Sequence, residues 1–261
     1  MHKRPSKEGT KHATGVCYST FKAKVVPLFA WLASNMNEVN WSDRLHPMNH
    51  TTDFPHYVTG LIDTAFVQAA DCTDPNYAHY FFSGKYHATG FKMELTCNLM
   101  GHIVDFAFPA GLGGASDFAI HQSRVQRGEK VFLPWESQIG DGAYFGATGL
   151  IAEFPESFNW QTINGRVIKV PLTATQKAAR APIRRERQKI EHIVKMVRGK
   201  HNALRLPWDG KTSTLIALVH VTVHMTNIKI KMCGVNGTAA NGNSRYSSVI
   251  GPWPHDGRII R

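Results

Sequence analysis

Cysteine is scarce in this chain: the 261 residues contain four, Cys17, Cys72, Cys97 and Cys233. They lie far apart and form no C-x-x-C pair, the spacing that is typical of zinc knuckles and redox motifs. Neither a structural zinc site nor a dense disulfide framework is therefore indicated. We interpret each cysteine as a reduced thiol that packs as a small buried hydrophobe.

Long apolar runs are also missing. No segment approaches the roughly 20 apolar residues that a membrane-spanning helix needs. The polar start Met1-His2-Lys3-Arg4 is not followed by the apolar core of a signal peptide. We therefore expect a soluble intracellular protein without a membrane partner.

Acidic residues are few beside basic ones. The chain has 19 Asp and Glu residues against 30 Lys and Arg residues, a formal net charge of +11. Such a field attracts polyanions and makes nucleic acid the leading candidate partner. Hydrophobic residues make up 43% of the chain, which is ordinary for a globular protein and excludes a wholly disordered one. We therefore expect one folded domain with a basic surface.

The two ends of the chain differ in composition from the middle. Residues 1–17 are polar and basic, which predicts a flexible arm. Residues 233–261 are rich in Gly, Asn and Ser, which predicts a flexible tail. Apolar periodicity fills residues 18–232, which we therefore assign to the folded domain.

The first half of the domain predicts a helix followed by strands. The helix covers Ser19–Asn35 and is broken or kinked near Pro27. A β-branched, apolar run at Val58–Phe66 predicts a buried strand, and Asp63 lies inside it. Further strand-like runs suggest an antiparallel meander that ends in the glycine-rich Pro109–Ala115: Tyr80–Phe82, Gly90–Leu99 and His102–Phe108.

The second half of the domain predicts helices around a short strand. The expected elements are, in order, a helix at Asp117–Arg127 capped by Ser116, a short strand at Val131–Leu133 with Ile139 that ends at Gly140-Asp141, an irregular stretch at Pro155–Thr175, and helices at Pro182–Leu204 and Leu215–Ile230. Pro182 suits the first turn of its helix, because proline there lacks only an N–H that has no partner anyway. The last element is interpreted as a helix because of its length, although its alternating valines also fit a strand.

Two aspartates lie within or directly after predicted strands, where a carboxylate can bind a ligand. Asp63 interrupts an apolar strand, and burying an unpaired carboxylate costs several kcal/mol, so a cation or a hydrogen-bonding network is the expected partner. The alternative is an acid satisfied by hydrogen bonds or exposed at a strand end. Asp141 follows a short apolar strand, where sheets flanked by helices bind ligands, although Asp-Gly is also a common turn signal. The nearby Tyr144 is interpreted as packing, with a substrate contact as the alternative.

Glu191 is the third candidate acid. It lies beside the apolar stripe of its helix at Ile190 and Val194, whereas its competitor Glu186 lies one turn earlier among arginines. The alternative is a solvated helix face on which Arg187 and Glu191 form an i, i+4 ion pair worth only about 0.3–0.5 kcal/mol. We favour a glutamate that points into a site.

The order of these motifs resembles the RNase H-like core of DDE transposases, and the Harbinger type is the most similar. The resemblance runs from Asn40 to about Pro207. Its strings are Trp41-Ser42-Asp43-Arg44, Phe54-Pro55, Ile62-Asp63, Ser83-Gly84-Lys85, Pro109 with Gly113-Gly114 before Asp117, Gly140-Asp141-Gly142-Ala143-Tyr144 and Arg187-x-x-Ile190-Glu191. It implies an α/β fold in which a mixed sheet, an antiparallel meander plus parallel strands, is flanked by helices.

The resemblance also implies chemistry. In that family the acids that match Asp63, Asp141 and Glu191 bind two divalent ions, Mg²⁺ or Mn²⁺, which activate a water or a DNA 3′-hydroxyl and stabilise the leaving oxygen. Asp117 matches an acid of the family's glycine-rich segment, and we assign it and Tyr144 supporting roles. The predicted function is a metal-dependent DNA endonuclease or transposase-like domain that cleaves DNA phosphodiesters, with joining as a second step. A nuclear location follows if the source is eukaryotic.

Basic residues near these acids are predicted to contact DNA. Arg187, Lys195 and Arg198 lie on the helix of Glu191, and Lys85 lies in a predicted hairpin turn. The alternative for the helix is a solvated charged face. The further partners implied are a separate DNA-binding protein that supplies specificity and a second copy of the chain. The rival hypothesis is a catalytically inactive, transposase-derived DNA-binding or protein-interaction protein, and metal dependence separates the two.

Overall fold

A computed structural model of the protein describes residues 18–46, 55–69, 75–152, 158–163, 166–199, 204, 208 and 211–235. The predicted arm lies outside the described residues, and so does the predicted tail from residue 236 onward. The division of the chain into arm, domain and tail therefore stays a prediction.

Helices and strands alternate along the described chain. The helices are α1 (Tyr18–Asn35), α2 (Pro75–Phe81), α3 (Asp117–Gln126), α4 (Ala174–Gly199) and α5 (Thr212–Cys233). The strands are β1 (Val58–Gln68), β2 (Phe82–Ser83), β3 (Ala88–Asn98), β4 (Ile103–Leu112), β5 (Ser137–Gly140), β6 (Leu150–Ala152), β7 (Phe158–Ile163) and β8 (Arg166–Pro171). Short 3₁₀ helices cover Trp41–Leu45 and Gly142–Tyr144.

β1 lies at the centre of a mixed sheet. The strand order is β2-β3-β1-β5-β6, and β4 pairs with β3. β1 runs antiparallel to β3 and parallel to β5, and β5 runs parallel to β6. β7 and β8 form a separate antiparallel hairpin. The predicted fold class, an α/β RNase H-like mixed sheet flanked by helices, is confirmed.

One face of the sheet packs against helices through apolar side chains. Leu61 of β1 and Leu95 of β3 belong to a core that also contains Ile190 and Ile193 of α4 and Leu215 of α5. None of these side chains has exposed surface. Burying a side chain of this size stabilises the fold by about 1.5–3 kcal/mol. This layer therefore fixes α4 over the centre of the sheet.

The opposite face of the same strands carries a buried charge network. Arg124 Nη1 of α3 donates to Glu94 Oε1 at 2.7 Å, and Arg124 Nη2 donates to Asp105 Oδ1 at 2.9 Å. Lys130 Nζ lies 2.9 Å from Glu94 Oε1 and 3.1 Å from Asp105 Oδ2. Two carboxylates on β3 and β4 thus balance two cations, and the network attaches α3 to the sheet.

Arg44 attaches the first 3₁₀ helix to the sheet. Its guanidinium donates to Glu136 Oε1 at 2.6 Å and to Oε2 at 2.9 Å. Thr59 of β1 donates its hydroxyl to the same Oε1 at 2.6 Å, and the Trp41 ring lies 4.0 Å from the guanidinium. The Trp41-Ser42-Asp43-Arg44 string therefore acts as a structural clamp beside β5.

Several predicted elements agree with the structure. α1 contains Pro27 as expected, and β1 contains Asp63. α3 begins after Ser116, whose Oγ accepts from the N–H of Ala119 at 3.1 Å, as the predicted cap requires. α5 is a helix rather than a strand.

The predicted strand at Tyr80–Phe82 is wrong for most of its length, because α2 extends to Phe81. Pro75 begins this helix, a position at which proline is favoured. β4 in turn continues through Pro109, beyond the predicted end of the meander. Among the described strands β4 pairs with β3 alone, and an edge strand tolerates proline because one side needs no hydrogen-bond donor.

The second half also corrects three predictions. The stretch predicted as irregular at Pro155–Thr175 contains two antiparallel strands, β7 and β8, whose sequences include aromatic and β-branched residues. α4 begins at Ala174, eight residues before Pro182, since an alanine-rich stretch favours a helix and one internal proline removes one hydrogen bond. Residues 131–133 form no strand, and β5 begins at Ser137.

Candidate active site

Asp63 and Asp141 lie level with each other on neighbouring parallel strands. Leu61 of β1 pairs with Ile139 of β5, so Asp63 and Asp141 follow two residues later on their respective strands. Leu61 and Ile139 face the apolar core, and the strand alternation directs Asp63 to the same face. β5 ends at Gly140, so Asp141 is the first residue beyond the strand. The two acids thus meet at the carboxyl end of β5, beneath α4.

The carboxyl group of Asp63 has an unusual pKa. This pKa is raised from 3.8 to about 6, mainly by burial and in part by the nearby Asp141 and Asp117, while the Thr64 N–H and Arg187 act in the opposite direction. The Thr64 N–H donates to Asp63 Oδ1 at 2.8 Å. One oxygen of Asp63 is therefore fixed by backbone, in a cleft where negative charge is unfavourable without a cation.

Asp141 is positioned by the turn that follows β5. Its Oδ1 accepts from the N–H of Ala143 at 2.9 Å and so caps the second 3₁₀ helix. A Cβ on Gly140 would lie 2.8 Å from Cδ2 of Tyr144, so the close approach of this ring requires glycine. Tyr144 has no exposed surface, and its hydroxyl lies 2.5 Å from Thr64 Oγ1. The Gly-Asp-Gly-Ala-Tyr string therefore fixes Asp141 by packing, and Tyr144 is placed as a packing residue.

Glu191 forms an ion pair with Arg187, which lies one turn earlier on α4. Arg187 Nη2 lies 3.4 Å from Glu191 Oε1, with 14% of the Arg187 side chain exposed and 42% of the Glu191 side chain. The charge of Arg187 also acts on Asp63 and lowers the pKa of that carboxyl. Among the described residues, no three His, Cys, Asp or Glu side chains lie close enough together to hold a metal ion. The charge of Arg187 therefore acts both on Asp63 and on its ion-pair partner Glu191.

The competitor Glu186 is engaged elsewhere. It is 8% exposed and pairs with Lys189, whose Nζ also donates to the carbonyl of Leu99 at 3.0 Å. This contact lies beyond the end of β3, and the pair neutralises the Glu186 carboxylate. Glu191 stays our choice for the third acid.

The predicted DNA contacts fall into two groups. Lys85 lies in the exposed turn before β3, with Nζ 5.6 Å from the centre of the Tyr86 ring. Lys195 and Arg198 lie near the end of α4, whose Ile193 approaches Gly101 beyond the other end of β3. β3 has 11 residues, and at roughly 3.3 Å per residue its ends are about 33 Å apart. The structure therefore does not bring Lys85 together with the α4 residues.

The sequence model of a family described as DDE superfamily endonuclease matches residues 62–227. The chain belongs to this family. The match covers more than half of the 261 residues and includes Asp63, Asp141, Arg187 and Glu191. Comparisons with curated proteins and with solved structures gave no match. The predicted recognition of a DDE-type transposase domain is confirmed.

The DDE superfamily gives the aspartate pair a chemical context. Endonucleases of this superfamily use divalent metal ions and act on DNA, and membership supports a nuclease or transposase-like domain. Asp63 and Asp141 fit such an ion, because Mg²⁺ and Mn²⁺ prefer carboxylate oxygens and these two lie level in one cleft. Glu191 lies beside the cleft and is occupied by Arg187.

Asp117, the predicted supporting acid, belongs to the first turn of α3. Its Oδ1 accepts from Lys92 Nζ at 2.6 Å, and its charge raises the pKa of Asp63. Within the described part of the chain, no helix is both long enough and apolar enough to cross a membrane.

Sequence reasoning missed two features near the site. The first is the influence of Arg187 on Asp63, since the sequence indicated a phosphate contact for this residue. The i, i+4 spacing of Arg187 and Glu191 indicated that the two side chains pair. It did not indicate that the charge of Arg187 also acts on Asp63 of β1. The second is the buried network of Glu94, Asp105 and Arg124, for which an acid in the apolar β3 sequence was the available signal.

Proposed function

We propose that this protein is a DNA endonuclease of the transposase type, in which Asp63, Asp141 and Glu191 hold two divalent ions, Mg²⁺ or Mn²⁺. The observation that carries the proposal is the level placement of Asp63 and Asp141 on the parallel strands β1 and β5. The match of this segment to the DDE superfamily supports it.

The chain itself prepares the aspartates as ligands. Backbone N–H groups hold one oxygen of each carboxylate, from Thr64 for Asp63 and from Ala143 for Asp141. The second oxygen of each carboxylate would then coordinate a metal ion, with the first oxygen held by backbone. When bound, a pair of divalent ions activates the attacking water or 3′-hydroxyl and stabilises the leaving oxygen of the phosphodiester. Asp63 and Asp141 share the cleft, and Glu191 adds the third carboxylate from α4.

The DNA backbone has two candidate binding surfaces. Near the cleft, α4 presents Arg187, with Lys195 and Arg198 about two and three turns further along. At the other end of the sheet lies the exposed turn with Lys85. A chain with a net charge of +11 gains affinity for phosphates from both surfaces.

The second candidate function is a catalytically inactive, transposase-derived DNA-binding or protein-interaction protein. The pairing of Glu191 with Arg187 favours it, because this contact occupies the third acid. The two functions differ in their requirement for a metal ion.

Nicking of supercoiled plasmid DNA tests the proposal directly. We expect nicks with Mg²⁺ or Mn²⁺ and none with EDTA, and we expect loss of nicking in Asp63→Asn, Asp141→Asn and Glu191→Gln. The matched control is Glu38→Gln, since Glu38 pairs with Lys231 at 3.1 Å and takes no part in the cleft. Equal nicking by all variants would contradict the proposal. A wild type that binds DNA but cuts with neither metal would favour the inactive protein.

A further inference from the structure

Arg187 is a mostly buried cation beside the candidate metal ligands. Its side chain is 14% exposed, and its guanidinium pairs with Glu191 at 3.4 Å. The arginine lies on α4, which packs on β1 through Ile190 and Ile193. A solvent-exposed i, i+4 pair is worth little, but screening is weaker where most of the side chain is excluded from water. From this position the charge of Arg187 acts on Asp63 as well as on Glu191.

The neighbouring charges show which acidic side chains Arg187 acts on. Asp117 is neutralised by Lys92 at 2.6 Å. Among the described residues, Arg187 is the cation whose charge stabilises the Asp63 carboxylate, and it also pairs with Glu191. Its charge thus acts on two of the three acids that the proposed function assigns to metal binding.

We propose that Arg187 is an internal counterion that occupies the acidic cleft before metal binding and moves to a DNA phosphate when divalent ions enter. This inference rests on the proposed function. A guanidinium stays protonated at every relevant pH and cannot coordinate a metal, so it repels an incoming cation. Its planar donor fork fits a carboxylate and a phosphate equally well, so the same side chain can exchange one for the other.

The exchange regulates the order of binding. Metal ions and Arg187 compete for the same carboxylates, so the site binds metal weakly while DNA is absent. A DNA phosphate that takes the guanidinium removes this competition, and thermodynamic reciprocity requires that metal then favours DNA to the same degree. The protein is thereby kept from loading metal away from its substrate.

Mn²⁺ titration calorimetry without DNA tests the counterion role. We expect Arg187→Gln to bind Mn²⁺ at least about fivefold more tightly than the wild type, the lower end of common coupling between two sites. Arg187→Lys keeps the charge, so its Mn²⁺ affinity should stay within about twofold of that of the wild type. Lys24→Gln, an exposed change on α1 that removes the same charge, is the matched control. Unchanged or weaker Mn²⁺ binding by Arg187→Gln would overturn the inference.

Two further measurements separate the possible failures. Asp63→Asn should bind Mn²⁺ more weakly than the wild type, and if it does not, the proposed metal site itself fails. If Asp63→Asn loses affinity while Arg187→Gln gains none, the counterion role alone fails. A purely structural Arg187 predicts a lower Tm with the same Mn²⁺ response. We expect a lower Tm in EDTA and a larger rise on adding Mn²⁺, which can also be measured if the variant is only marginally stable.

Discussion

Asp63 and Asp141 each lie two residues beyond a paired position of neighbouring parallel strands, since Leu61 of β1 pairs with Ile139 of β5. Two like charges close together repel each other, and the charge of Asp141 makes ionisation of the buried Asp63 less favourable. The arrangement costs free energy while the cleft lacks a divalent cation and binds one when it is supplied. Both effects can be measured without any assay of DNA cleavage.

Removing one charge from the pair should stabilise the protein in the absence of metal. We expect Asp63→Asn and Asp141→Asn each to raise the free energy of unfolding in EDTA by about 1–2 kcal/mol at pH 7.5, since repulsion and desolvation are relieved. Mn²⁺ should raise the Tm of the wild type but not of the variants. Differential scanning fluorimetry with EDTA and with Mn²⁺ measures both effects, with Glu38→Gln as control. A wild type that is indifferent to Mn²⁺ would contradict the expectation.

The raised pKa of Asp63 predicts a pH dependence of stability. The folded protein holds this proton up to a pKa of about 6, whereas the unfolded chain releases it near 3.8. The protonated Asp63 carboxyl therefore contributes to the free energy of unfolding in full below pH 3.8. This contribution, about 2–3 kcal/mol for a buried carboxyl, is lost as the pH rises from 3.8 to 6.

Urea denaturation between pH 4 and pH 7.5 measures this loss, as the difference between the wild type and Asp63→Asn. The difference should change across pH 4–6 and be constant above it. A difference that is flat across the whole range would show that Asp63 is not perturbed.

DNA binding should depend steeply on salt. Each phosphate that the protein neutralises changes log K by about −0.9 per unit of log salt. Lys195→Glu with Arg198→Glu should weaken binding for every DNA sequence and make the slope less steep. Fluorescence anisotropy from 50 to 300 mM NaCl measures both quantities, and Lys24→Glu controls for net charge. Affinity that is independent of salt would argue against a phosphate contact by α4.

Gly140 should tolerate no side chain. Gly140→Ala places a Cβ 2.8 Å from the Tyr144 ring, and forcing extra volume into a packed region costs about 1–3 kcal/mol. Gly84→Ala is the matched control, because a Cβ there meets nothing within 4 Å. Chemical denaturation should show a loss of stability for the first variant and almost none for the second. Equal stabilities would mean that the turn can relax around the methyl group.

Removing a single partner from the buried charge network should lower the free energy of unfolding. Lys130→Met leaves Glu94 and Asp105 opposite Arg124 alone, and an uncompensated buried charge costs about 3–5 kcal/mol. Adding Glu94→Leu restores the balance of charge, so the double variant should lose less than the sum of the two single variants. A double-mutant cycle by urea denaturation measures the difference. Strict additivity would mean that the two side chains do not interact.

Local sequence patterns predicted the elements whose signals are local. β1 follows from its β-branched run, and α3 follows from its Ser116 cap. Pro182 was misleading, because its value as a first-turn residue is a local rule that the preceding alanine-rich stretch overrides. The β7–β8 pair was missed because it forms a separate two-stranded sheet, and this stretch lacks the long apolar run that marked β1.

In the candidate site too, the sequence predicted one relationship and did not predict another. The resemblance to DDE transposases predicted that Asp63 and Asp141 lie close together, and the pairing of Leu61 with Ile139 puts them on neighbouring parts of the sheet. The reach of Arg187 toward Asp63 was not predictable, since it depends on how α4 crosses β1. The metal-binding and DNA-binding roles of these residues stay predictions.

Glu94 and Leu95 are consecutive residues of β3 that support opposite sides of the sheet. Sufficient acid removes the charge of Asp105, whose pKa is lowered by Lys130 and Arg124, and leaves Leu95 unaffected, so the two layers respond to different conditions. As the pH falls, α3 should detach while α4 and α5 keep their apolar contacts with β1. The strand that carries Asp63 would then remain folded in a protein that has already lost one of its two sides.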